Sequence, residues 1–232
     1  MTFDFRFLPV CDIKTGKMIF AEAVMPALGA IKNLQSRTAL LNQLLQHVAT
    51  GLSVTRPDVR FAVTLDIPTL NEASFLGNFR EFCDQRKLDV ARLLIQLKEP
   101  EFVADEDGAL AVSSCHAAGF PVAVDGFLSD DGNFSVLSHP HVGVIKVDQS
   151  VISDIHECET KQNFIKGLFS LSQSLEKQLV ISGVDTEKHA ALVAELGPRY
   201  CQGSYVGDAL PAPELAAFQP AFVNHTRGCD AG

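Results

Sequence analysis

Polar residues of chemically useful types recur along this chain at positions that read as strand ends: Glu22, Thr64, Gln96 with Glu99, Asp125, Lys146 with Asp148, Ser182 with Asp185, and Gln202. Acids, amides, hydroxyls and a lysine brought to one mouth would form a pocket for a polar ligand. Taken singly, each is a cap or a satisfied polar group. Asp125 is the clearest case. Val122, Ala123 and Val124 form an apolar run that stops at Asp125, and a polar break over residues 126–133 follows. A buried strand that hands a carboxylate to a loop commonly presents chemistry at the carboxyl end of a parallel sheet or barrel.

Delivering these residues to one side requires strands of one direction. Residues 3–10 and 18–25 read as two strands joined by a turn at 12–17, a leading hairpin. Residues 34–52 place Leu41, Leu44, Leu45 and Val48 at helical spacing. A strand over 60–67, ended by Pro68, and a helix over 75–87 follow. Alternation then becomes regular: strand 93–97, helix 109–118 stopped at Gly119, strand 122–125, strand 142–147 and helix 160–176. Strand 179–181, helix 187–196 stopped by Gly197-Pro198, and strand 200–202 complete the series. After Leu210, prolines at 211, 213 and 220 surround a short helix. Strands alternating with helices imply right-handed crossovers and a parallel sheet. For this length the pattern predicts a closed, irregular TIM-like α/β barrel, with one antiparallel strand contributed by the hairpin.

The 232 residues are 47% hydrophobic and 20% charged, with no low-complexity linker, which fits one domain over 1–232 with a sizeable core. Met1 leads almost directly into a strand, as in a domain cut from a longer multidomain protein. A net charge of −9 argues against a nucleic-acid polymer or an acidic membrane as partner. Six cysteines at 11, 83, 115, 158, 201 and 229 stand singly, which suits reduced thiols in the cytoplasm. No apolar run is long enough to span a bilayer, so no membrane contact is expected from this segment.

In order and spacing, Ala21-Glu22-Ala23-Val24, Gln96-Leu97-Lys98-Glu99, Val124-Asp125-Gly126-Phe127, Ile145-Lys146-Val147-Asp148, Ser182-Gly183-Val184-Asp185 and Gln202-Gly203 resemble the EAL domain. That family comprises bacterial cyclic di-GMP phosphodiesterases built on an irregular (β/α) barrel, and the likeness runs from about residue 5 to residue 210. The resemblance implies that active members hold divalent cations with a Glu, an Asn, a Glu and an Asp pair. Glu22 and Asp125 match. Thr64 stands at the Asn, Gln96 at the second Glu, Gly126 at the second Asp, and Ser182 at a Glu that helps activate water. Glu99 matches a supporting Glu, Lys146 the family lysine, and Asp185 a later acid. Hard cations need several oxygen ligands, usually carboxylates, and two-metal hydrolysis depends on them. The resemblance therefore implies a catalytically inactive member without Mg²⁺ or another cofactor.

Glu22, Gln96, Asp125, Lys146, Asp148, Asp185 and Gln202 are the expected ligand-binding residues. Lys146 would meet a phosphate as a point charge and the acids would accept from guanine N–H groups. Against binding, Pro26 stands at a family Arg and Leu8 at a family Gln. The resemblance implies a cyclic di-GMP receptor in motility, flagellar or biofilm control. The competing expectations are a nucleotide-independent module that binds a regulatory protein, and a weak residual phosphodiesterase. A homodimer through residues 128–137 is a further expectation, although that loop departs from the family pattern. Among other features, His139 and His141 read as a solvated turn, Cys201 as an inert buried thiol, and the acidic residues 101–107 as a helix start.

Overall fold

In the computed structural model, residues 5–24, 34–72, 74–99, 106–129 and 134–222 are described. The leading hairpin consists of β1 (Arg6–Asp12) and β2 (Met18–Val24). Its turn is held by the Asp12 carboxylate, which accepts from the Lys14 and Thr15 amides at 2.9 and 3.0 Å. Then come α1 (Leu34–Val54), β3 (Arg60–Thr64), α2 (Ile67–Leu70), α3 (Phe75–Gln85), β4 (Leu93–Lys98) and α4 (Glu106–Ala117). The second half contains β5 (Val122–Phe127), α5 (Phe134–Ser138), β6 (Val142–Val147), α6 (Gln149–Ile152), α7 (Glu159–Ser174), β7 (Gln178–Ile181), α8 (Glu187–Leu196) and β8 (Tyr200–Cys201).

The eight strands close into a barrel in sequence order. β1 is antiparallel to both neighbours, β2 and β8, and every other pair is parallel. This is the irregular barrel with one reversed strand that the pattern predicts. Both faces of the strands are buried, so they read as near-continuous apolar runs. Val10, Phe20, Ala62, Leu94, Ala123, Val144 and Val180 fill the interior as one packed layer. Phe20 fits there because Ala62 and Ala123 are small. The intervening residues, such as Phe61, Ile95, Val124, Ile145 and Ile181, face the helices in the larger outer core. α1 lays Leu40, Leu44, Leu45 and Val48 onto that core, as its spacing requires.

Several boundaries differ from the expectation, each for a local reason. Residues 3–4 of the first predicted strand lie outside the described residues, and β1 runs on to Asp12, whose amide donates to the Lys17 carbonyl at 2.9 Å. β3 stops at Thr64 rather than at Pro68. Asp66 caps a short helix by accepting from the Thr69 amide, and Pro68 sits in its first turn, where a missing N–H costs nothing. β5 does not end at Asp125 but continues to Phe127, with an irregular register against β6 between Val124 and Phe127. Gly126 absorbs that irregularity at φ +77.

Candidate functional site

Side chains two residues apart on a strand share a face. On the seven strands that run in one direction, each residue of the interior layer therefore predicts its neighbour toward the carboxyl end: Phe20 predicts Glu22, Ala62 Thr64, Leu94 Gln96, Ala123 Asp125, Val144 Lys146 and Val180 Ser182. β8 contributes Gln202 just past Cys201. The apolar layer is thus the floor on which a polar layer stands, at the end of the barrel where parallel strands terminate.

Glu22 is the hub of that layer. Its Oε1 accepts from Gln96 Nε2 at 2.7 Å, and its Oε2 accepts from Lys146 Nζ at 2.6 Å and from Gln202 Nε2 at 2.9 Å. Gln96 Nε2 also donates to Thr64 Oγ1 at 3.0 Å. A carboxylate oxygen only accepts, so the amide nitrogen of Gln96 must face Glu22 and its oxygen must turn away. That Oε1 is buried without a hydrogen-bond partner, as is Ser182 Oγ.

Asp125 is bracketed by two ammonium groups. Lys146 Nζ lies 3.1 Å from Oδ1, and Lys98 is hydrogen-bonded to Oδ2. Lys98 and Asp125 are direct partners across β4 and β5, which explains the pairing. Burial alone would raise the Asp125 pKa, but Lys146 and Lys98 outweigh it and hold the carboxyl below its ordinary value. Burial alone would discharge Lys146, which is 1% exposed, but Glu22 and Asp125 raise its pKa instead. The centre therefore sets two acidic side chains, Glu22 and Asp125, against two lysines, Lys146 and Lys98.

Of the expected ligand-binding residues, Glu22, Gln96, Asp125, Lys146 and Gln202 are brought together in this network. Asp148 and Asp185 are not bonded into it. Asp148 caps α6 by accepting from the Ser150 amide at 2.8 Å. Asp185 is exposed and accepts from Ser204 N and Oγ at 2.8 and 3.0 Å. Glu99 is buried, and its Oε2 accepts from the Leu128 amide at 2.9 Å. Pro26 and residues 130–133 lie outside the described residues. Sequence reasoning missed Lys98. The available signal was parity, since Lys98 is two residues past Gln96 and so faces the same way.

A divalent cation would need free oxygen lone pairs at this centre. Each oxygen of Glu22 and Asp125 already accepts from or pairs with a protein nitrogen, and the neighbouring positions offer Gln96, Thr64 and Gly126. Two lysine side chains thus already stand where a divalent cation would meet these carboxylates, and the neighbouring positions add no further carboxylate.

The remaining features carry other roles. His139 and His141 are half-buried in the turn before β6. The His141 ring stacks on His116 with centroids 3.9 Å apart, and the His141 amide donates to His139 Nδ1 at 3.2 Å. The His139 and His141 rings meet edge to face with centroids 5.7 Å apart. Burial pushes the Cys201 thiol up to about 12, so it stays protonated and unreactive. No helix among the described residues is long and apolar enough to cross a membrane.

A sequence model described as the EAL domain matches residues 1–209. The probable cyclic di-GMP phosphodiesterase PdeA of Escherichia coli (strain K12) is 24% identical over 182 residues, covering 77% of this chain and 25% of that protein. The blue light- and temperature-regulated antirepressor BluF of the same organism is 24% identical over 216 residues, covering 88% and 54%. The crystal structure of the EAL domain of Mycobacterium smegmatis DcpA superposes with a TM-score of 0.79 at 20% identity, covering 93% of this chain and 95% of that one. The chain spans between 25% and 30% of the length of the first curated relatives it matches.

Proposed function

The chain belongs to the EAL domain family, and from that premise we propose that it is a catalytically inactive member that acts as a receptor of cyclic di-GMP in bacterial signalling. One observation carries the reading: every oxygen of the carboxylates that would hold a cation is already engaged by the protein's own donors, two of them lysines. Gln96, Lys146 and Gln202 occupy Glu22, while Lys146 and Lys98 occupy Asp125. Hydrolysis of a phosphodiester at a two-metal site needs ions to activate water and to steady the attacking and leaving oxygens. No carboxylate stands at Ser182 to serve as a base in their place.

Recognition asks less of the site. PdeA is named for cyclic di-GMP, and a neutralised polar layer does not repel a dianionic dinucleotide as bare carboxylates would. In this reading the ligand lies across the mouth, with Glu22, Gln96, Asp125, Lys146 and Gln202 beneath it and Asp148 and Asp185 as outer contacts. The domain works without Mg²⁺, in the cytoplasm, as one unit of a longer regulatory protein.

The second reading is a nucleotide-independent module that binds a regulatory protein. BluF, named an antirepressor, favours it. Calorimetric titration with cyclic di-GMP, with and without Mg²⁺, separates the two. Receptor function gives saturable heat that is insensitive to Mg²⁺. Silence at high micromolar ligand leaves the protein-binding module, and appearance of linear dinucleotide in Mg²⁺ or Mn²⁺ restores the enzyme.

A further inference from the structure

The two ammonium groups on Asp125 are not equivalent. The Lys146 side chain is 2% exposed, whereas that of Lys98 is 50% exposed. Lys146 is bound to two carboxylates, buried Asp125 and half-buried Glu22, and withdrawing it would cost both an ion-pair partner. Lys98 has one partner and reaches it from the rim with half of its side chain in water, and its withdrawal leaves Asp125 still paired with Lys146. It is therefore a positive charge that the site can spare.

Resting on the receptor reading, we propose that Lys98 is a tethered cation in place of a metal: at rest it neutralises Asp125, and on ligand binding its Nζ turns to a phosphate of the dinucleotide. Lys146 stays on Oδ1, so Asp125 remains compensated. Its Oδ2, released by Lys98, becomes an acceptor at the floor of the mouth. A covalently attached ammonium is always present at its site, so binding is indifferent to chelators. Parity supports the role. Lys98 is the next inward position beyond Gln96 on β4 and lies directly opposite Asp125 on β5. It stands one step nearer solvent than the residues that fill the floor.

The test compares the wild type with Lys98→Thr and Lys98→Arg, each checked for an unchanged far-ultraviolet spectrum and melting temperature. Cyclic di-GMP is titrated in EDTA and again in Mn²⁺, and Mn²⁺ alone is titrated into the wild type. Loss of one charge-assisted phosphate contact predicts affinity about ten- to a hundredfold weaker for Lys98→Thr, with most of it kept by Lys98→Arg. Mn²⁺ alone should give no stoichiometric binding. Equal affinity of Lys98→Thr and the wild type, within about twofold, would overturn the role of Lys98 and leave the receptor reading standing. Stoichiometric Mn²⁺ binding, or ligand binding only when Mn²⁺ is present, would overturn the metal substitution alone. Absence of ligand binding by the wild type in either condition removes the receptor reading and this role together.

Discussion

At position 146 a long cationic side chain lies buried at 1% exposure and keeps its charge because two carboxylates face it. The desolvation penalty of such a group is repaid only while its partners remain, so breaking the pair costs more than the pair contributes. Lys146→Met should lower the unfolding free energy in urea by about 3 kcal/mol, since buried Asp125 and half-buried Glu22 would be left with fewer donors. Adding Glu22→Gln and Asp125→Asn to that variant should recover part of the loss. A loss below about 1 kcal/mol would mean that the centre is as weakly coupled as a surface pair. This arrangement was only partly visible in advance. A lysine two residues past an interior valine must point inward, but that it would bridge Glu22 and Asp125, 124 positions from the first, depends on how the barrel closes.

At the scale of elements, the short β8 depends on its loop. The Val184 amide donates to the Gln202 carbonyl at 3.0 Å, and the Tyr205 amide donates to the Val184 carbonyl at 3.2 Å. Gly203 lies between these bonds at φ +155, and a Cβ there would come within 2.4 Å of the Val184 carbonyl oxygen. Gly203→Ala should therefore destabilise by at least about 2 kcal/mol. It should also weaken dinucleotide binding by turning Gln202 away from Glu22. Gly167→Ala in α7, where a Cβ meets nothing within 4 Å, should instead gain about 0.5–1 kcal/mol. Chemical denaturation of both variants checks the pair, and a stable, fully binding Gly203→Ala would discount the loop contact. Element types were legible because period-two and helical spacing act within a few residues. Ends were less so. Pro68, which reads as a stop, begins a helical turn once Asp66 supplies the cap.

At the scale of the molecule, closure of the barrel relies on the antiparallel seam between β1 and β8, where Cys11 faces Cys201 and Asp12 faces Tyr200. Asp12 is also ion-paired with Arg199, at the end of the barrel away from the polar mouth. Burial would raise its pKa, but the Lys14 and Thr15 amides and Arg199 outweigh it, so the folded value lies below the ordinary one. A depressed carboxylate contributes stability that is present above the unfolded pKa of about 3.9 and is lost as pH falls through the folded value. Melting temperature should therefore decline on acidification below about pH 4. Asp12→Asn should melt lower at neutral pH and decline less steeply in acid. Parallel curves from scanning calorimetry would show that the seam does not depend on this charge.

By itself the sequence determined the alternation of strands and helices, the reversed first strand and the strand-end positions of the polar residues. Those follow from local periodicity and from the order of motifs along the chain. Only the tertiary structure decided which polar atoms meet. Closure of eight strands placed Gln96, Lys146 and Gln202 on one carboxylate, set Lys98 against Asp125, and left Asp148 and Asp185 with other partners. Hydrogen bonds between residues separated by 74 to 180 positions are fixed by strand register and barrel geometry, which no window of neighbouring residues contains.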